Sequence, residues 1–122
     1  MTLQELYQNI GADYEQAVRV LRMEKLIDKH IRKLTKNGVV DKLFEAGKEM
    51  DPSALFEAAH AMKGVCANLG LTGLSEAASE IAEEYRPGKE RRFTDAEVKA
   101  KIDHIAQDYQ KTAEEIQKYE NA

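Results

Sequence analysis

A histidine, a lysine and a glycine fall within five consecutive residues of a stretch, 52–69, that the sequence predicts to be one helix. At about 100° per residue, the apolar residues of this stretch share one face, and His60 projects from roughly the opposite side, toward solvent. Lys63 lies one turn further on, where its ammonium group can reach an anion held on the imidazole. Gly64 costs a helix roughly 0.5–1 kcal/mol relative to alanine and leaves a bare surface beside the ring. This spacing predicts an imidazole that carries a negatively charged group and is approached by a macromolecule.

Helix geometry alone leaves a second interpretation open, in which His60 is an ordinary surface histidine beside an incidental glycine. The residues alone do not decide between the two interpretations. A neutral imidazole, with an unperturbed pKa of about 6.5, is a good nucleophile near pH 7, and its phosphoramidate still holds a good leaving group. The chain has no glycine-rich phosphate loop, no nucleotide-binding pattern and no metal-ligand spacing, so a kinase or phosphatase acting alone is disfavoured.

The segment His60–Gly64, followed by Asn68–Gly70, resembles the H-x-L-K-G-x-x-x-x-L-G pattern of histidine-containing phosphotransfer (HPt) domains. These domains relay a phosphoryl group between receiver domains of two-component signalling systems. The chain departs from the pattern at Met62, where leucine is usual, at Cys66, where a small residue is common, and at Leu71, where alanine often follows. None of these departures removes a group that would handle phosphate.

The resemblance implies that His60 is phosphorylated, that Lys63 pairs with the phosphoryl oxygens, and that Gly64 gives the partner access. The implied partner-binding residues flank His60 on the same helix: Phe56, Glu57 and Ala67. The chain is then a phosphocarrier rather than an enzyme and binds no cofactor or metal itself, while Mg²⁺ is expected on the partner. The expected partners are response-regulator receiver domains and a hybrid histidine kinase. The alternative is a non-phosphorylated helical adaptor whose His60 face merely binds another protein.

The composition is that of one helical domain. Of 122 residues, 43% are hydrophobic and 33% charged, and only two prolines and seven glycines are present for turns. A net charge of −4 argues against general nucleic-acid binding. The single cysteine, Cys66, excludes an intrachain disulfide and is expected in the core. Because no apolar run has the length of a membrane span and no signal-peptide pattern is present, we expect a cytoplasmic protein. We also expect a monomer.

Start and stop signals divide the chain into helices. Capping boxes at 2–5 and 94–97 begin the first and last helices, and Asp51 followed by a proline begins the helix that carries His60. Gly70 is placed to end that helix, and Thr72 to cap the next, so these two helices must be antiparallel neighbours. With the resemblance, the pattern predicts an all-α, antiparallel up-and-down four-helix bundle with short additional N-terminal helices. We expect a single domain, 1–122, in which a segment of about 2–22 caps a bundle of about 23–120.

The stretch 13–36 combines an apolar and a basic pattern. It is expected to be helical, with an apolar stripe opposite a basic one and with His30 packed at the core edge, whereas His104 is expected to be exposed. The apolar stripe consists of Val20, Met23, Ile27, Ile31 and Leu34. The basic stripe consists of Arg22, Lys25, Lys29, Arg32 and Lys36, and is read as a solvated face or, less simply, as an attraction for an acidic partner. Asn37-Gly38 favours a stop or kink, but the resemblance implies one long helix, so we expect a continuous helix disturbed at Gly38.

Overall fold

The computed structural model describes residues 1–121, which form seven α-helices and contain no β-strand. The helices are α1 (Leu3–Asn9), α2 (Tyr14–Leu21), α3 (Glu24–Lys33), α4 (Val39–Glu49), α5 (Pro52–Asn68), α6 (Thr72–Glu84) and α7 (Asp95–Asn121). Helices α4, α5, α6 and α7 pack in a ring, each against two neighbours, and the closest association is between α5 and α6. The predicted all-α bundle with additional N-terminal helices is therefore confirmed.

The three N-terminal helices pack against helices α5 and α7 of the bundle. Helix α1 packs on α7, α2 packs on α3 and α5, and α3 packs on α7. The hydroxyl of Tyr119, near the end of α7, donates a hydrogen bond to Asp28 of α3, and the Arg32 guanidinium lies over the Tyr119 ring at 4.8 Å. Arg32 also pairs with Asp28 at 3.0 Å. The last turns of α7 thus pack on α3, in the N-terminal part of the chain.

The expectation of one helical stretch over 13–36 is wrong. Arg22 takes a left-handed conformation, with φ of 69°, and Met23 is extended, so α2 ends and α3 starts in a new direction. Val20 and Met23, predicted on the buried stripe, are 40% and 55% exposed. His30 is also exposed rather than packed at the core edge. A non-glycine residue with positive φ has no sequence signal, because apolar periodicity does not report backbone handedness.

The expected continuous helix through Asn37-Gly38 is wrong as well. Helix α3 ends at Lys33 and α4 starts at Val39, and between them Gly38 adopts a left-handed conformation with φ of 74°. The Asn37 side chain accepts a hydrogen bond from the Val39 amide at 3.0 Å, which satisfies one free donor at the start of α4. The local turn chemistry of Asn-Gly therefore prevails over the long helix that the family resemblance implied.

The start signals are confirmed in detail. Thr2 and Glu5 form a reciprocal capping box, as do Thr94 and Glu97. The Asp51 side chain accepts from the Ala54 amide at 3.0 Å, and Pro52 is the first helical residue of α5. One signal is displaced by a residue: α6 begins at Thr72 itself, with Leu71 as a cap that has no side-chain hydrogen bond.

A buried carboxylate holds the loop between α6 and α7. The side chain of Glu84 is fully buried, and its Oε2 accepts hydrogen bonds from the Arg91 guanidinium at 2.9 Å and from the amides of Arg92 and Phe93 at 2.9 and 2.7 Å. Desolvation raises the pKa of Glu84, but the hydrogen bonds from Phe93, Arg91 and Arg92 outweigh it and leave the pKa below its usual value. The carboxylate thus organises the loop as an acceptor for three donors.

Replacing Glu84 with glutamine is expected to lower the free energy of unfolding by about 2–3 kcal/mol at pH 7, because the neutral amide lacks the charge that strengthens the three hydrogen bonds to Oε2. Because the folded pKa of Glu84 is depressed, its contribution exists above the unfolded pKa and is lost as pH falls through the folded value, so the difference should shrink below about pH 4. Urea titrations at several pH values measure it. Glu83→Gln, which removes only surface pairs to Arg86 and Lys89, is the control and should change stability much less, because solvent screens exposed ion pairs. Equal losses in the two variants would contradict the role of Glu84.

Candidate functional site

Helix α5 carries the predicted site and is packed along one face. The predicted apolar face is confirmed, since its members are all at most 2% exposed: Leu55, Ala59, Met62, Cys66 and Leu69. Burial raises the pKa of the Cys66 thiol to about 12, so this side chain is a small core residue. His60 lies on the opposite side and is exposed, as predicted.

The end of α5 is held by the N-terminal segment. Gly70 adopts φ of 71°, and its carbonyl accepts a hydrogen bond from the Asp13 amide at 2.8 Å. The hydroxyl of Tyr7 donates to the Leu69 carbonyl at 2.7 Å. Tyr7 is 1% exposed, and burial raises its pKa far above the usual value, so the hydroxyl stays a donor. The helix that carries His60 is therefore anchored to α1 and to the start of α2.

Helix α6 supports the site from behind. The Ser75 hydroxyl of α6 donates to the backbone carbonyl of Lys63 at 3.1 Å. Small side chains, Ala59 on α5 and Ala78 on α6, are completely buried and let the two helices approach closely. The turn of α5 that carries Lys63 is thereby tied to its neighbour, while His60 is exposed.

The imidazole of His60 has one aromatic neighbour and one bare flank. The Phe56 ring, one turn before it, is stacked on the imidazole with centroids 5.6 Å apart and an interplanar angle of 17°. On the other flank, a Cβ added to Gly64 would meet nothing within 4 Å. Nothing in the packing of the described residues therefore requires glycine at Gly64.

The remaining predicted residues lie along the same side of α5. Lys63 is half-buried, as is Ala67, and Glu57 is exposed. All six predicted site residues therefore occupy three turns of one helix. No group of three or more histidine, cysteine, aspartate or glutamate side chains suited to a metal ion occurs within residues 1–121. A cavity of about 480 Å³ lies between the end of α1, the start of α6 and the second half of α7. No predicted site residue lines this cavity.

Sequence reasoning missed two aspects of this site. The Phe56–His60 stack was not anticipated, although the four-residue spacing of two rings on a helix is a usable signal. The contacts of Tyr7 and Asp13 with the end of α5 join residues about sixty positions apart, and no local pattern could have indicated them.

The fold and the candidate site together define a class of protein, an all-α bundle that exposes an imidazole, that of His60, on one of its helices. Comparison with protein families makes this specific: the model of the Hpt domain matches residues 2–111, and the chain belongs to the Hpt domain family. Searches found no match to the chain among curated proteins and none among solved structures. The resemblance noted from the His60–Gly70 pattern is confirmed.

Membership carries several consequences. Hpt domains are phosphotransfer carriers in two-component phosphorelays, not kinases, and they interact with receiver domains of response regulators and with histidine kinases.

Within the described residues, no helix combines the length and the apolar character that crossing a membrane requires.

Proposed function

We propose that the protein is a phosphorelay intermediate that accepts a phosphoryl group on His60 from a receiver-domain aspartate and passes it to a second receiver domain. The observation that carries this proposal is the exposed imidazole of His60 beside the open space at Gly64, on a chain that belongs to the Hpt domain family. A receiver must bring its aspartate within bonding distance of the ring, and the bare flank leaves room for that approach.

In the forward step, the Nε2 lone pair of the neutral imidazole forms a bond to phosphorus as the bond between phosphorus and the aspartate oxygen breaks. The carboxylate leaves with the electron pair, and Nδ1 keeps its hydrogen, so the phosphorylated ring is cationic. The reverse sequence delivers the group to the next aspartate. Lys63, one turn away, pairs with the phosphoryl oxygens, whose charge must be neutralised during transfer.

The partner supplies the rest of the machinery. Its receiver domain holds Mg²⁺ between acidic side chains and contributes a lysine, while this chain binds no metal or cofactor. Phe56, Glu57 and Ala67 contribute the docking surface around His60. One of the partners is the receiver domain of a hybrid histidine kinase, and the protein acts as a monomer in the cytoplasm.

The proposal is tested by incubating the protein with a receiver domain that carries radioactive phosphoryl label, in the presence of Mg²⁺. The chain should become labelled, and the label should be labile in acid and stable in base, as expected for a phosphoramidate. A second, unlabelled receiver added afterwards should remove the label from this chain. A chain that binds the receiver but never acquires label would instead be the helical adaptor.

Gly64→Gln is expected to slow transfer about tenfold or more, although glutamine raises helix propensity, because the new side chain occupies the space that the receiver needs. Single-turnover transfer from the labelled receiver measures the rate. Gly73→Gln is the matched control, since Gly73 is also a helical glycine whose added Cβ would meet nothing within 4 Å, but it lies on α6. Undiminished transfer by the Gly64 variant would contradict the access argument.

Lys63→Ala is expected to lower the transfer rate about tenfold without unfolding the bundle, because one charge-assisted contact to the phosphoryl group is lost. The rate is measured by the same transfer assay, and circular dichroism checks the fold. Lys99→Ala, which removes an exposed lysine from α7, should leave the rate unchanged. If both variants transfer at the wild-type rate, Lys63 has no part in the reaction.

A further inference from the structure

The imidazole of His60 is flanked unequally along α5. A helical side chain leans toward the N-terminus of its helix, over the residue four positions earlier, and for His60 that residue is Phe56. The two rings are nearly parallel, at 17°, and their centroids are 5.6 Å apart, within the range of offset stacking. The residue four positions later is Gly64, which offers no side chain.

Phe56 can restrict the position of the His60 ring because the Phe56 ring is itself packed against the core. Its ring is half-buried and packs against the hydrophobic core, whereas His60 is exposed. The stack therefore joins an exposed ring to one that is packed against the core. An exposed histidine on a helix would otherwise exchange among several rotamers, and only some of them would present Nε2 to an approaching phosphoryl group.

We propose that Phe56 is a positioning residue for phosphoryl transfer, which holds the plane of the His60 imidazole and stabilises the cationic ring formed on phosphorylation. This inference rests on the proposed function of His60. In the transfer step the P–N bond forms while Nδ1 retains its hydrogen, so the ring gains positive charge next to the face of a phenyl group. A cation within about 6 Å of an aromatic centroid is attracted by that face, and the observed separation meets this condition.

The two possible roles of Phe56, docking and positioning, predict different kinetic effects of its replacement. A docking residue changes the concentration of receiver that gives half-maximal transfer, whereas a positioning residue changes the maximal rate. Phe56→Leu keeps an apolar side chain for docking but removes the aromatic face, and Phe56→Tyr keeps the face. These two variants separate the roles.

In single-turnover transfer from a phosphorylated receiver, Phe56→Leu should lower the maximal rate about fivefold and shift the half-saturating concentration by less than about twofold. Phe56→Tyr should stay within about twofold of the wild-type rate. Phe44→Leu is the matched control, because Phe44 is also a half-buried phenyl, packed against Tyr109 with centroids 6.2 Å apart, and it should transfer normally. A wild-type maximal rate for Phe56→Leu, with only the half-saturating concentration raised, would overturn the inference in favour of docking.

Nuclear magnetic resonance of the unphosphorylated protein tests the stack without any transfer. The His60 ring protons should be shifted upfield in the wild type and in Phe56→Tyr relative to Phe56→Leu, and nuclear Overhauser contacts should join the two rings. Identical His60 shifts in all three proteins would overturn the inference. If the wild type shows the stack but never acquires label, the proposed function fails instead, so the two failures are distinguishable.

Discussion

His60→Gln is expected to abolish phosphoryl labelling while the helical circular dichroism remains native. The amide nitrogen of glutamine shares its lone pair with the carbonyl and cannot attack phosphorus, so no partial activity should remain. Because the His60 side chain is exposed and lies away from the buried face of α5, its replacement should change the free energy of unfolding by no more than about 1 kcal/mol. Labelling by a phosphorylated receiver and thermal unfolding measure the two effects.

The chain supplies its own controls for this experiment. Of its three histidines, His30 and His104 are also exposed, and both lie on other helices. His30→Gln and His104→Gln should therefore acquire label at the wild-type rate. Label that persists in His60→Gln and disappears in either of the other variants would move the phosphorylated position away from α5.

Gly70→Ala is expected to destabilise the protein by about 4 kcal/mol or more, a loss that few single substitutions cause. Two effects act together. At φ of 71° an alanine pays about 1–2 kcal/mol for the left-handed conformation. In addition, the new Cβ would lie 2.9 Å from the carbonyl carbon of Asp13 and closer still to its oxygen. Because that neighbour is backbone, the clash is relieved only if the start of α2 moves away from α5.

Gly88→Ala shows the first effect alone, since Gly88 has a similar φ of 82° but an added Cβ there meets nothing within 4 Å. Its loss of stability should be limited to about 1–2 kcal/mol. Denaturant titration of the two variants gives the difference. If Gly70→Ala loses no more than Gly88→Ala, the contact with Asp13 is not a constraint. The final glycine of the H-x-L-K-G-x-x-x-x-L-G pattern would then be explained by backbone conformation alone.

Where the determinants are local, the sequence predicts this protein well. Helix α5 illustrates this, because its start at Asp51-Pro52, its buried stripe and its end before Gly70 each depend on a few neighbouring residues. The exposed position of His60 followed from the same periodicity. Capping boxes located the beginnings of α1 and α7 equally well.

The errors arise where backbone handedness or distant contacts decide the structure. Arg22 adopts a left-handed conformation without being glycine or asparagine, so the apolar pattern continued through a real break. At Asn37-Gly38 the turn signal was correct, and the implied long helix was not. The Tyr7 hydroxyl and the Asp13 amide donate hydrogen bonds to backbone carbonyls at the end of α5. Such contacts depend on tertiary packing rather than on residue spacing.

The anchoring of α5 at Leu69 and Gly70 has a consequence for encounters with a partner. Tyr7 and Asp13 already hold these carbonyls in the free protein. The end of the helix therefore loses its conformational entropy during folding and not on binding. A partner that docks on this helix meets a preorganised surface and need not rearrange its backbone. The speed of recognition then depends on how often the two proteins collide in a suitable orientation, and electrostatic attraction is the main means of raising it.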